Sequence, residues 1–110
     1  LVTTGAAGGK TDPSKIKITD LADTQNDMLP RKVRRKLRKD YQIDNEGGKF
    51  DITSVWSIER IHKPENCDLK SGRLDCQNSL GSAGFVTGAI GFAAASAVVN
   101  YIVNHESAHQ

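Results

Sequence analysis

The chain is poor in the residues that staple small domains together. Its 110 residues include only two cysteines, Cys67 and Cys76, which are too few for a disulfide framework and lack the second pair that a zinc knuckle needs. Free thiols in a cytoplasmic protein are the default reading. His62, His105 and His109 have no ligand spacing, and the last two belong to a polar tail. Aromatic residues make up 5% of the chain, so Met28 and Trp56 read as packing residues in an otherwise aliphatic core. No initiator methionine and no basic-apolar leader stand at the start. The formal net charge of +2 argues against a uniformly cationic nucleic-acid coat.

What the sequence does hold is charge set in order. Residues 1–39 carry ten Lys/Arg against four Asp/Glu, whereas residues 40–110 carry five against nine. This division predicts an oriented surface with a basic front and a mildly acidic back. The basic side is concentrated in residues 30–40, where Pro30 fits the first helical position and Asn26 or Asp27 is available near the cap. Leu29, Val33 and Leu37 recur at helical spacing and form the expected inner stripe. Arg31, Lys32, Arg34, Arg35, Lys36, Arg38 and Lys39 occupy the rest. Like charges at Arg31/Arg35, Arg34/Arg38 and Arg35/Lys39 repel by a few tenths of a kcal/mol per pair. Stability alone therefore gives no reason to gather them. Guanidinium forks bind phosphate bidentately and can follow a nucleic-acid backbone; the plain alternative is a solvated charged face.

The remaining segments alternate strand and helix signals. Leu1–Thr4 reads as a strand end running into the turn Gly5–Gly9, and a strand cannot satisfy its backbone groups alone. The expectation is a segment of a larger fold, against the alternative of a small independent domain. Ile16 and Ile18 alternate with polar residues over Lys15–Thr19, the pattern of a half-exposed strand, and Asp20–Asp27 reads as a loop. Gly47-Gly48 marks a turn. In the strand expected over Phe50–Glu59, Phe50, Ile52, Trp56 and Ile58 share one parity with Ser54, and Val55 is the sole aliphatic on the other. A polar loop over 60–82 holds both cysteines and reads as an active-site loop or a merely mobile one. An apolar helix is expected over 83–103, ending sharply at the polar tail. That run reaches transmembrane length, and Gly84 and Gly88 have small-xxx-small spacing. A buried helix lying close against a sheet is the preferred reading, since Thr87, Ser96 and Asn100 dilute its apolarity.

Two further segments bear on chemistry. Gly5–Gly9 followed by Lys10-Thr11 echoes a phosphate-binding loop. However, Thr4 stands where the first glycine of that motif belongs, and no Gly-x-Gly-x-x-Gly fingerprint occurs. The loop reads instead as a plain turn or as a source of carbonyls for a monovalent cation. Cys76 lies ahead of the last helix, where a thiol near a helix N-terminus has a lowered pKa and gains nucleophilicity; the alternative is an inert thiol.

Several blocks together resemble one family. Gly5–Leu21 (GAAGGKTDPSKIKITDL), Asp27–Lys39 (DMLPRKVRRKLRK), Val55–Glu59 (VWSIE), Arg73–Cys76 (RLDC) and Gly81–Gly88 (GSAGFVTG) resemble, in order, the later sequence of the E1-like tRNA threonylcarbamoyladenosine dehydratases. The likeness covers nearly the whole chain. It implies an α/β fold: the C-terminal portion of a Rossmann-like E1-type activating enzyme, with the nucleotide site in the preceding half. The implied activity is ATP-dependent cyclisation of N6-threonylcarbamoyladenosine in tRNA through an adenylated carboxylate. ATP, Mg2+ and a monovalent cation (K+ or Na+) are the implied cofactors. tRNA, a second copy in a homodimer and a sulfur-transfer protein are the implied partners, and some relatives are membrane-associated. Arg31, Arg34, Arg35, Arg38 and Lys39 carry over as a tRNA-facing surface, and Cys76 as a cysteine with a catalytic suggestion. The family's usual Asp-Pro-Leu-Ala before the basic run is replaced by Asp27-Met28-Leu29-Pro30, which displaces the proline and changes how the chain enters the helix. Two other readings remain: an E1-like adenylyltransferase for a sulfur-carrier or ubiquitin-like protein, and a non-enzymatic RNA-binding or membrane-anchored module.

Overall fold

The computed structural model describes residues 1–43, 48–61 and 81–108. Most of the expected loop 60–82, with Cys67, Cys76 and His62, lies outside the described residues, as do Gly47 and His109.

Three short strands form one mixed sheet. β1 (Val2–Thr4), β2 (Ile16–Asp20) and β3 (Thr53–Ser57) lie in the order β1-β3-β2. β1 runs parallel to β3 with Val2 opposite Thr53, and β2 runs antiparallel to it with Ile18 opposite Val55. The ladders extend past the strand ends, because Gly5 N–H donates to Val55 O at 2.8 Å and Ile58 N–H donates to Lys15 O at 3.0 Å. The β1 strand therefore finds its parallel partner within this chain.

β3 is shorter than the expected Phe50–Glu59 and is buried on both faces, with Ser54, Val55, Trp56 and Ser57 all inaccessible. The parity pattern captured the two faces but not which one a helix would cover. Val55, the lone aliphatic of its parity, packs with Val86 and Ile90 of the C-terminal helix, flanked by Val2 and Ile16. On the other parity Trp56 is buried and its indole Nε1–H donates to Thr19 Oγ1 at 2.9 Å, satisfying the one polar group of a large apolar side chain.

Asp20–Asp27 is more ordered than a loop. A 3-10 turn at Leu21–Asp23 follows β2, with the Asp20 carboxylate accepting from Ala22 N–H at 2.9 Å. The same carboxylate accepts from Phe50 N–H and Ile52 N–H, tying β2 to the segment that leads into β3. Leu21 is buried, the apolar anchor of this turn.

Helix α1 spans Met28–Asp40, and Asp27 is its N-cap, accepting from Leu29 N–H at 3.0 Å. Pro30 therefore occupies the third helical position rather than the first. It is tolerated there because the first four amides of a helix have no intrahelical acceptor. The inner stripe also differs from expectation. Leu29 and Val33 are exposed, while Pro30 is buried and Arg34 and Leu37 are half-buried. Starting the helix at the cap turns its inner face toward Pro30, Arg34 and Leu37, which recur at three- and four-residue spacing.

Helix α2 spans Gly84–Ala108 and continues, as far as Ala108, into the segment expected to be a polar tail. Asn100 and His105 sit within it, with the His105 ring stacked on Tyr101 at a centroid distance of 3.8 Å. The expectation of a wholly buried helix is not met. Val86 and Ile90 are buried against the sheet, but Phe92 is 81% exposed, and Val99, Tyr101 and Val103 are also exposed. A Cβ at Gly84, Gly88 or Gly91 would meet nothing within 4 Å beyond its chain neighbours and the adjacent turns of its own helix. Among the described residues, these glycines do not serve a close approach to the sheet.

Candidate functional site: a capped basic helix on a glycine loop

The glycine loop and α1 meet at Asp27. Its Oδ1 caps the helix through Leu29 N–H, and its Oδ2 accepts from Ala6 N–H in the loop at 2.9 Å. Gly5 is required at this junction: a Cβ there would lie 2.3 Å from Asp27 Oδ2 and 3.2 Å from Trp56 Cβ. The ammonium of Lys10 stands 4.0 Å from the same Oδ2, with both side chains nearly inaccessible. Lys10 Nζ donates to Ser57 O at 2.8 Å and to Asn26 O at 3.3 Å. Asn26 adopts φ 57°, the left-handed region asparagine tolerates, and its amide donates to Ile58 O at 2.8 Å. Burial pushes the Lys10 pKa down, and the Asp27 and Glu59 carboxylates partly offset that shift. One buried cation thus joins the loop, the end of β3 and the start of α1.

This geometry settles what Lys10-Thr11 is not. A phosphate-binding lysine must extend into a ligand, whereas Lys10 is turned inward and occupied by carbonyls. Thr11 N–H and Asp12 N–H both donate to the Glu59 carboxylate, the latter at 2.7 Å, and Gly9 N–H donates to Gly81 O at 3.1 Å. The amides of Gly5, Ala6, Gly9, Thr11 and Asp12 are therefore already bound, and with Lys10 turned inward the segment lacks the free lysine of a phosphate-binding loop. A separate cleft lies between the loop and α2, lined by Thr4, Gly5, Ala7, Ser82, Thr87 and Ile90. Thr4, Ser82 and Thr87 are the hydroxyl-bearing residues of its lining. No group of three or more His, Cys, Asp or Glu suited to a metal occurs among the described residues.

Along α1, the cations fall into two sets. Arg34 reaches back to the domain: its Nη1 donates to Thr24 Oγ1 and to Thr24 O (3.1 Å), with Leu21 O at 3.5 Å. Burial, with Arg38 and Arg31 nearby, lowers its pKa, and Asp27 works against that shift; a guanidinium stays charged regardless. Arg38 donates to Gly48 O at 3.3 Å and stacks over the buried Phe50 ring at 4.7 Å, a cation–π contact. Arg31, Arg35 and Lys39 are exposed, and among the described residues none has a carboxylate partner. All five sequence-derived candidates line one shallow concavity. Cys76 lies outside the described residues.

Sequence reasoning found the helix and its cap but missed the Lys10–Asp27 hub. An aspartate directly before a helical run was a visible signal; a partner sixteen or more residues earlier was not.

The chain is similar to known proteins over most of its length. No family model matches the chain. The tRNA threonylcarbamoyladenosine dehydratase of Haemophilus influenzae is 40% identical over 97% of the chain, which covers 42% of that protein. The Escherichia coli protein of the same name is 40% identical over 87% of the chain, covering 40% of its length. Among solved structures, that Escherichia coli dehydratase in complex with ATP superposes on all of the chain with a TM-score of 0.80 and 35% identity, and 40% of its own length is covered. The complex with AMP gives the same values. The chain thus spans about two fifths of the length of the relatives it matches, and its mixed α/β fold matches their Rossmann-like fold.

Proposed function

The chain is homologous to part of the tRNA threonylcarbamoyladenosine dehydratases, and from that premise we propose that it serves the ATP-dependent cyclisation of N6-threonylcarbamoyladenosine in tRNA. In that reaction the side-chain carboxylate of the modified nucleoside is adenylated, and ring closure then expels AMP. The observation that carries the proposal is the match of the entire chain, at 35% identity and a TM-score of 0.80, to a dehydratase crystallised with ATP and with AMP.

The role assigned to these residues is docking and support, not adenylation. The Lys10 ammonium is committed to internal carbonyls, so the nucleotide is assigned to the rest of the polypeptide, in the half preceding this one. Mg2+ is assigned there with it. A monovalent cation, K+ or Na+, would find oxygen donors in the cleft beside the glycine loop. The basic face of α1 is the surface for tRNA, because phosphate neutralisation rewards a row of cations that folding alone does not. Cys76 is retained as a candidate nucleophile, and a cytoplasmic homodimer served by a sulfur-transfer protein is the proposed setting.

The test incubates the full-length protein with ATP and tRNA carrying N6-threonylcarbamoyladenosine. AMP and the cyclic nucleoside are expected together. AMP release without cyclisation would sink the proposal, and adenylation of a sulfur-carrier or ubiquitin-like protein tail instead would replace it with that activity.

A further inference from the structure

The cations of α1 are unequal. With 3.6 residues per turn, Arg34 and Arg38 fall on the edge nearest the domain, and Arg31, Arg35 and Lys39 form the next row outward, rising about 6 Å per step along the axis. The inner edge is spent on Thr24, Leu21, Gly48 and Phe50. The outer row has no acidic partner among the described residues. A second shallow concavity on its far side is lined by Lys32, Arg35, Lys36, Lys39 and Asp40, so Arg35 and Lys39 are shared by the grooves on both sides of the row.

We propose that Arg31, Arg35 and Lys39 are the residues that contact the RNA backbone, whereas Arg34 and Arg38 are positioning residues that fix the rotation of α1 about its axis. This rests on reading α1 as the tRNA-docking surface and divides that surface into contact and anchor. The physical basis is competition for donors. A guanidinium whose Nη1 is held by a threonine hydroxyl and carbonyl would have to leave neutral acceptors inside the fold to reach a phosphate. An exposed one with no partner gives up only water. Rotation matters because a helix held at its cap and along one edge presents the outer row in a single orientation, as bidentate recognition requires.

The experiment measures equilibrium binding of the full-length protein to tRNA carrying N6-threonylcarbamoyladenosine, between roughly 50 and 200 mM salt. Arg31→Gln, Arg35→Gln and Lys39→Gln are each expected to reduce the slope of log K against log salt by about one. The largest loss of affinity is expected at Arg35 and Lys39. Arg34→Gln and Arg38→Gln are expected to lower the Tm and keep the wild-type slope. A slope lost equally at Arg34 or Arg38 overturns the division. A slope unchanged in all five variants overturns the docking reading itself, and the division with it. A second measurement needs no variant of the anchor. Treatment of the wild-type protein with an arginine-selective dicarbonyl reagent should modify Arg31 and Arg35 quickly and be blocked there by tRNA, while Arg34 reacts slowly with or without RNA. An Arg34 that reacts freely and is protected by tRNA contradicts the proposal.

Discussion

The two helices are anchored at their N-terminal ends and differ in everything beyond that. α1 is held by a carboxylate cap, a buried proline and an arginine that bonds inward, and it exposes charge. α2 is held by two aliphatics, Val86 and Ile90, and it exposes Phe92, Val99, Tyr101 and Val103. Gly84–His105 is long and apolar enough to cross a membrane by length and composition, whereas α1 is among the most polar stretches of the chain. Polarity alone therefore does not identify what a helix buries. A polar side chain is buried at low cost when its donors meet fixed acceptors, and an aliphatic one stays exposed when no described residue lies over it.

Breaking the anchors tests this contrast. Asp27→Ala should have the largest effect, because it removes the cap, the acceptor for Ala6 N–H and the carboxylate beside the buried Lys10 ammonium. Loss of about 3–5 kcal/mol in urea unfolding is expected, and a loss under 1 kcal/mol would show that the hub is not the anchor of α1. Ile90→Ala should cost about 2–4 kcal/mol by opening a cavity against Val55. Val99→Ala, nine residues beyond Ile90, should fall within about 0.5 kcal/mol. Equal effects at the two positions would mean that α2 is packed along its whole length. Gly5→Ala should cost about 1–3 kcal/mol, since the new methyl must displace Asp27 or Trp56.

A further effect should appear as a pH dependence. Burial opposes ionisation of Asp20, but amides of Ala22, Phe50, Asp51 and Ile52 outweigh it and hold its pKa below the usual 3.8. A depressed folded pKa contributes stability that is fully present above 3.8 and lost as the pH falls through the lower folded value. Asp20→Asn should therefore flatten the acid limb of a stability–pH curve, and an unchanged limb would assign acid sensitivity elsewhere. Asp20 also supports the Leu21–Asp23 turn that receives Arg34, so the variant probes the α1 anchor from its far side.

Much of the fold was legible in the chain. The alternation at Ile16 and Ile18, the cluster of cations after Asp27 and the long apolar run each named an element. Its bounds then shifted by a few residues, because end residues depend on caps that only three-dimensional contacts fix. The candidate tRNA surface was legible as a charge cluster, and its division into anchor and contact was not. That division depends on where Thr24 and Phe50 come to lie, ten or more residues away in sequence. The ordered blocks resembling the dehydratases were legible because they extend over most of the chain.

By itself the sequence determined the two helices, the strands and the concentration of positive charge on α1, since these follow from periodicity, capping and side-chain type within a few residues. Tertiary structure alone decided that Lys10 turns inward, that Gly5 must carry no side chain, that Arg34 rather than Val33 faces the domain, and that α2 is buried only near its start. Each of these depends on a partner distant in sequence, brought close by the pairing of β1 and β2 with β3, and local preferences do not encode such distances.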